Sequence, residues 1–226
     1  MGSHPEPPPW PPEVPPEVPP WRPVPERRAP PRPPGPPPLV PTVAVPSGAL
    51  SENVFDRLLE RRIVLVTGRL DDGVAGLAAA QLMLLDASGD EPVELRLSCP
   101  DGDLDACVAL ADTVDLAGLT VRAVCSGRVG GPALAPLAAA DRRVAHPHCL
   151  FALLDPAVQL QGGADEVATS ASSYQRQLDG LHRRLAEATG QSLERVVADM
   201  RKGVTLNAEE AVEYGLVEEI AESQKS

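Results

Sequence analysis

With 226 residues, the chain is long enough for one domain of ordinary size plus an extension. Its 32 acidic residues against 20 basic ones leave a net charge of −12, which argues against a nucleic-acid partner, because a phosphate-binding face needs a cationic excess. No run approaches the roughly 20 apolar residues of a membrane span, and no basic region followed by an apolar block marks a signal peptide, so a cytoplasmic chain with no membrane partner is expected.

The first 46 residues stand apart. They hold 21 of the 27 prolines and both tryptophans, and Pro11 to Pro20 repeats with a period of four. Such a stretch cannot pack a core or form a helix, so a mobile, mostly polyproline II tail is expected over 1–46. It contains four Glu and four Arg. The −12 therefore belongs to the remainder, for which one domain over 47–222 and a short tail at 223–226 are expected.

From residue 63 onward strand and helix alternate. Ile63 to Gly68 is a short apolar run ending in Gly, which predicts a buried strand. Asp71 and Asp72 can cap a helix whose apolar stripe reads Val74, Leu77, Ala78, Gln81 and Leu85. Val93 to Ser98 alternates with period two, a strand covered on one side. Leu104 to Val114 reads as a helix burying Cys107, Leu110, Ala111 and Val114. Thr120 to Cys125 is a strand, Ala133 to Ala140 a helix, and Cys149 to Leu154 a strand. A long helix follows over about 164–188 and a shorter one over about 192–201. The last helix begins at Asn207 with Glu210 at its third position and ends at Gly215. This alternation predicts an α/β fold with a parallel sheet covered by helices. The four cysteines, Cys99, Cys107, Cys125 and Cys149, sit in apolar stretches without C-x-x-C spacing. They read as buried thiols in a reducing compartment, and neither a metal nor a cofactor is expected.

Three blocks carry a resemblance. The first is Arg62 to Asp72 with Ala80-Gln81-Leu82. The second is Cys99-Pro100-Asp101-Gly102-Asp103. The third is Thr189-Gly190-Gln191-Ser192-Leu193-Glu194 together with Asn207 to Val217. These resemble the proteolytic subunits of the Clp protease, and Leu39-Val40-Pro41 looks like their mature N-terminus. The resemblance covers about 38–222 and implies a crotonase-like ββα spiral, a serine peptidase site and oligomeric rings.

Carried over residue by residue, the resemblance implies a site without its chemistry. The family's nucleophilic Ser falls on Gly131. The following residue, which lends an N–H to the oxyanion, falls on Pro132, which has none. The general base falls on Leu154, and the third triad member on Asp199. The family's Gly-Gly turn reads Asp101-Gly102, so a carboxylate stands where negative charge would develop. Ser126, at the end of its strand, is not presented by the turn. His146 and His148 flank Pro147 in a loop, and His182 lies on the long helix; each reads as a solvent-facing or loop polar residue.

The resemblance also implies a long helix, Ala164 to Ala188, by which two rings stack, completed by a glycine-flanked strand over 158–163. Its burial candidates are Val167, Tyr174, Leu178, Leu181 and Leu185. Glu94 and Arg96 fall where the family carries aromatic side chains that receive loops of the ATPase ring, so that docking is expected to be weakened or absent. The expected function is a structural or regulatory protomer, in homo-oligomers or in mixed rings with active Clp subunits. Two alternatives stand beside it: an active peptidase with a non-standard site such as Ser126, and a binding module working through the Pro-rich tail.

Overall fold

A computed structural model describes residues 47–157 and 163–222. The tail expected over 1–46, the strand expected over 158–163 (but for Gly163) and the end at 223–226 lie outside the described residues. The chain divides after residue 44, and the described residues all belong to the part that follows.

The described part begins with a helix that sequence pattern did not suggest, α1 (Ser47–Glu60). Arg62, with φ 56°, turns it into β1 (Ile63–Thr67). Then come α2 (Asp72–Ser88), β2 (Val93–Ser98), α3 (Leu104–Leu116), β3 (Val121–Cys125) and a short β4 (Arg128–Gly130). A single 3-10 turn, Gly131–Ala133, leads into α4 (Leu134–Ala139). β5 (Arg142–Ala145), β6 (Leu150–Leu153), the long α5 (Ala164–Thr189), α6 (Leu193–Lys202), β7 (Val204–Leu206), α7 (Ala208–Tyr214) and β8 (Glu219–Ile220) complete it.

Five strands form a parallel sheet in the order β1-β2-β3-β5-β8, and β4-β6-β7 form a second, smaller sheet. The expected α/β fold with a parallel sheet is therefore what the chain adopts. α2, α3 and α4, which connect successive strands of the larger sheet, pack against one another in sequence, and one side of that sheet is buried. That side buries Val64, Val66, Leu95, Leu97, Val121 and Ala123. The other side aligns Ile63, Glu94, Arg122 and Arg142 across four strands.

The expected ends of the last helix hold. Asn207 Oδ1 accepts the Glu210 N–H at 2.9 Å, and Glu210 Oε2 accepts the Asn207 N–H at 2.8 Å. Gly215 closes the helix with φ 85°. The expected stripe on α2 holds except at Leu77. Ala78 and Leu85 are buried, Val74 packs against the core and Gln81 is half-buried, but Leu77 is 61% exposed while Ala75 and Leu82 are buried beside them. α2 is apolar on both sides, so periodicity alone could not fix the boundary between them.

The long helix forms where it is expected, as α5. Leu181 and Leu185 are both 1% exposed and belong to this chain's own core. Tyr174 and Leu178 are half-buried against that core. The apolar stripe over these residues therefore packs inside the protomer.

Candidate functional site

The loops after β1 and β2 meet beside the turn that starts α4. Leu70 and Gly102 bridge in parallel, with the Leu70 N–H donating to the Asp101 carbonyl at 3.1 Å and the Asp103 N–H to the Leu70 carbonyl at 2.8 Å. The Arg69 guanidinium spans both carboxylates, pairing with Asp101 and, at 2.6 Å, with Asp103. These two anions, Asp103 foremost, raise the Arg69 pKa further. The pair of loops rims a cleft of about 570 Å³ lined by Arg69, Asp72, Asp101, Asp103, Asp105 and Tyr174, among others. Acidic side chains dominate its wall.

Gly131 sits at the head of the 3-10 turn with φ 55°. A Cβ built there would lie 3.4 Å from Asp101 Oδ1 and 3.4 Å from the Leu154 carbonyl oxygen. The fold thus brings Gly131, Asp101 and Leu154 together, although they come from three separate segments. There is room for a side chain at Gly131, but the left-handed backbone disfavours one. Pro132 and Ala133 behind it are buried.

Gly102 has a packing reason to be glycine. A Cβ would fall 2.5 Å from Cys107 Sγ and 3.0 Å from Leu70 Cβ. Gly130 has one too, with Ala152 Cβ 2.8 Å and the Pro100 carbonyl 2.9 Å from the position a Cβ would take. Close backbone approach explains both glycines without any ligand.

Leu154 follows β6 and is 52% exposed. Its Cδ1 lies 3.4 Å from where a Cβ of Gly203 would stand, at the end of α6. The next residue ties the same two elements, the Asp155 N–H donating to the Met200 carbonyl at 3.1 Å. Asp199 precedes Met200 on α6, so its helix is anchored beside Leu154. Its carboxylate is already engaged. Tyr214 donates its hydroxyl to Asp199 Oδ2 at 3.0 Å, and Arg195 Nε stands 3.7 Å from the same oxygen. Burial first, then the bond to Asp199, push the Tyr214 phenol well above its usual range. The Arg195 guanidinium stacks over the Tyr214 ring at 5.1 Å.

His182 corrects an expectation. Far from facing solvent, it is 3% exposed, and its Nε2 lies 2.7 Å from Asp155 Oδ1. Beside it the Tyr174 hydroxyl donates to the Pro156 carbonyl at 2.7 Å. Two bonds from α5 thus hold the segment just past Leu154. Nothing local in the sequence announces them, since the partners are 27 and 18 positions apart. His146 and His148 are exposed in the β5–β6 loop, as expected. Ser126 follows β3, half-buried, with its N–H given to the Leu97 carbonyl at 2.9 Å.

All four cysteines are buried free thiols. Burial raises Cys99 to about 11 and Cys149 to about 12, and drives Cys107 and Cys125 well up. None is a nucleophile at neutral pH. Among the described residues no group of His, Cys, Asp and Glu is arranged to hold a metal ion, and no helix is long and apolar enough to cross a membrane.

On the outer face of the sheet, Glu94 and Arg96 do point outward, joined at 2.6 Å. Glu94 also pairs with Arg122 at 3.2 Å, and Arg122 with Glu219 at 3.6 Å. This ladder floors a groove of about 570 Å³, walled by Val124, His146, Pro147, His148 and Glu222.

Comparison with known proteins accounts for this arrangement. The Clp protease family model matches residues 46–224. An ATP-dependent Clp protease proteolytic subunit 4 of Rhodococcus jostii (strain RHA1) is 34% identical over 176 residues, covering 76% of this chain and 91% of that protein. An ATP-dependent Clp protease proteolytic subunit of Dehalococcoides mccartyi (strain ATCC BAA-2266 / KCTC 15142 / 195) is 33% identical over 193 residues, covering 83% and 96%. With the parallel α/β fold and the Gly131–Asp101–Leu154 junction in place, these matches show that the chain belongs to the Clp protease family.

Proposed function

We propose that this chain is a Clp-type subunit without peptidase activity of its own, acting as a structural or regulatory protomer of a Clp-type assembly, with copies of itself or with active subunits, in the cytoplasm. One observation carries the reading. At the turn that should present a nucleophile, Gly131 offers only hydrogen, and the space a side chain would enter faces the Asp101 carboxylate at 3.4 Å.

Acyl transfer by a serine peptidase needs a nucleophile, a base and donors aimed at the developing oxyanion. Gly131 supplies no hydroxyl. Leu154 cannot accept a proton. Pro132 has no N–H, and Asp101 adds negative charge where negative charge must be stabilised. Asp199 remains, but it has no histidine to orient and accepts the Tyr214 hydroxyl instead. Docking of an ATPase loop is weakened in the same reading. An apolar anchor entering the outer groove would have to strip water from the paired Glu94, Arg96 and Arg122, and taking ions out of water is costly.

The test is direct. The purified full chain is expected not to hydrolyse fluorogenic peptides and not to be labelled by a fluorophosphonate probe. Gly131→Ser is expected to fold, since a Cβ there meets nothing closer than 3.4 Å, and still to remain unlabelled, because catalytic groups that act as a unit recover little singly. Stoichiometric labelling of wild-type serine, at Ser126 or elsewhere, would overturn the reading in favour of a non-standard peptidase.

A further inference from the structure

The groove on the outer side of the larger sheet is walled by polar groups that bind nothing inside the protomer. Glu94 is held from both sides, by Arg96 Nε at 2.6 Å and Arg122 Nη1 at 3.2 Å, so its charge is already answered. Arg96 uses only Nε for that pair. Its two Nη groups have no partner among the described residues, and its side chain is 49% exposed. His146 and His148 line the same groove on either side of Pro147. Both are exposed, and neither imidazole has a partner among the described residues. An arginine fork with both Nη groups open is the shape that a carboxylate fills with two parallel bonds. Each imidazole adds an N–H, and a charge when protonated.

We propose that this groove receives an acidic loop of a partner protein, with a carboxylate of that loop on the Arg96 fork and the two imidazoles. Charge selects the occupant. The chain carries −12, so an acidic partner is repelled over most of the surface. The cleft beside Gly131, walled by Asp72, Asp101, Asp103 and Asp105, offers such a loop only the Arg69 that two of those acids already hold. In the outer groove Arg96, Arg122, His146 and His148 stand against Glu94 and Glu222, and Glu219 lies 3.6 Å from Arg122 at the end of the ladder. A carboxylate replaces the water on these cations with charge-assisted bonds, whereas an apolar side chain would only remove it. Glu222 is the exposed acid without a partner here, and it opposes the same ligand from its own side of the groove.

The experiment is fluorescence anisotropy on the full chain with three fluorescein-labelled peptides, in which Gly alternates with Glu, with Lys or with Leu. The Glu peptide is expected to bind most tightly, and more weakly as salt rises. Arg96→Gln and His146→Gln are each expected to weaken it about tenfold, the equivalent of one charge-assisted hydrogen bond, and Glu222→Gln to tighten it. Arg201→Gln removes the same charge from an exposed position on α6 and is expected to leave binding unchanged. Circular dichroism checks that the variants fold. Should Arg96→Gln disturb the fold, Arg96→Lys decides in its place, since lysine keeps the charge and loses the fork. No saturable binding of the Glu peptide, or tighter binding of the Leu or Lys peptide, overturns the proposal. An equal loss in Arg201→Gln reduces the effect to long-range charge and overturns it too. None of these variants alters Gly131, Leu154 or Asp199, so failure here leaves the function proposed above standing.

Discussion

The Tyr214 hydroxyl reaches Asp199 from 15 positions away, and that bond changes what an acidic residue at this place does. Here the carboxylate accepts a phenol's hydrogen bond. Burial raises both tyrosines of the chain, Tyr174 and Tyr214. A titration followed at 295 nm is therefore expected to show both phenols ionising above the usual pH of about 10, Tyr214 further above it than Tyr174. Two phenols titrating freely near pH 10 in the folded protein would remove the Tyr214–Asp199 bond from the account. At this scale the sequence was most informative about what side chains lack. Gly131, Pro132 and Leu154 lack a hydroxyl, an N–H and an imidazole whatever surrounds them, so their chemistry can be read from the letters. The replacements could not be read. Arg69 clamps carboxylates 32 and 34 positions away, and His182 is held by Asp155 across 27. Only the fold makes such partners neighbours.

Helix ends were legible because their signals are local. Asn207 and Glu210 satisfy each other's backbone donors within one turn, and Gly215 takes the left-handed conformation that ends the helix. Gly215 also makes the sharpest prediction for an element. An added Cβ would overlap the Thr189 carbonyl oxygen, with the carbonyl carbon at 3.1 Å, on a backbone of φ 85°. Gly215→Ala is expected to cost about 3 kcal/mol or more, roughly 6–12 °C in melting temperature for a body of this size. A variant that melts within 2 °C of wild type would show that α5 and α7 do not approach as described. The short strands were not legible. β4, β5, β7 and β8 have two to four residues each, too few for alternation to register, and β5 begins with two arginines. Pairing with neighbours makes them strands. On α2 only Leu77 was misplaced, since an excess of apolar residues blurred the boundary between its two sides.

Across the whole body the buried acids shift in one direction. Cys99, Cys107, Cys125, Cys149, Tyr174 and Tyr214 are all raised, in each case chiefly by burial. The folded state therefore keeps protons that the unfolded state releases. Stability is full below about pH 8.5, where unfolded thiols begin to ionise, and falls as pH climbs toward the folded values. Each thiol contributes about 1.4 kcal/mol per unit once its unfolded form is ionised. Thermal melts from pH 7 to 11 are expected to be flat to about 8.5 and then to drop steeply, with Cys99→Ala showing a shallower drop. A flat profile to pH 11 would mean that the thiols are not buried in the folded chain.

β1 forms the outside of the larger sheet, and among the described residues it pairs with β2 alone. Its sequence, Ile63 to Thr67, has no charge, proline or bulge, the devices by which natural edge strands discourage further pairing. Both α1 and α2 lie against it. An uncharged edge of this kind is a template on which another chain can add strand after strand.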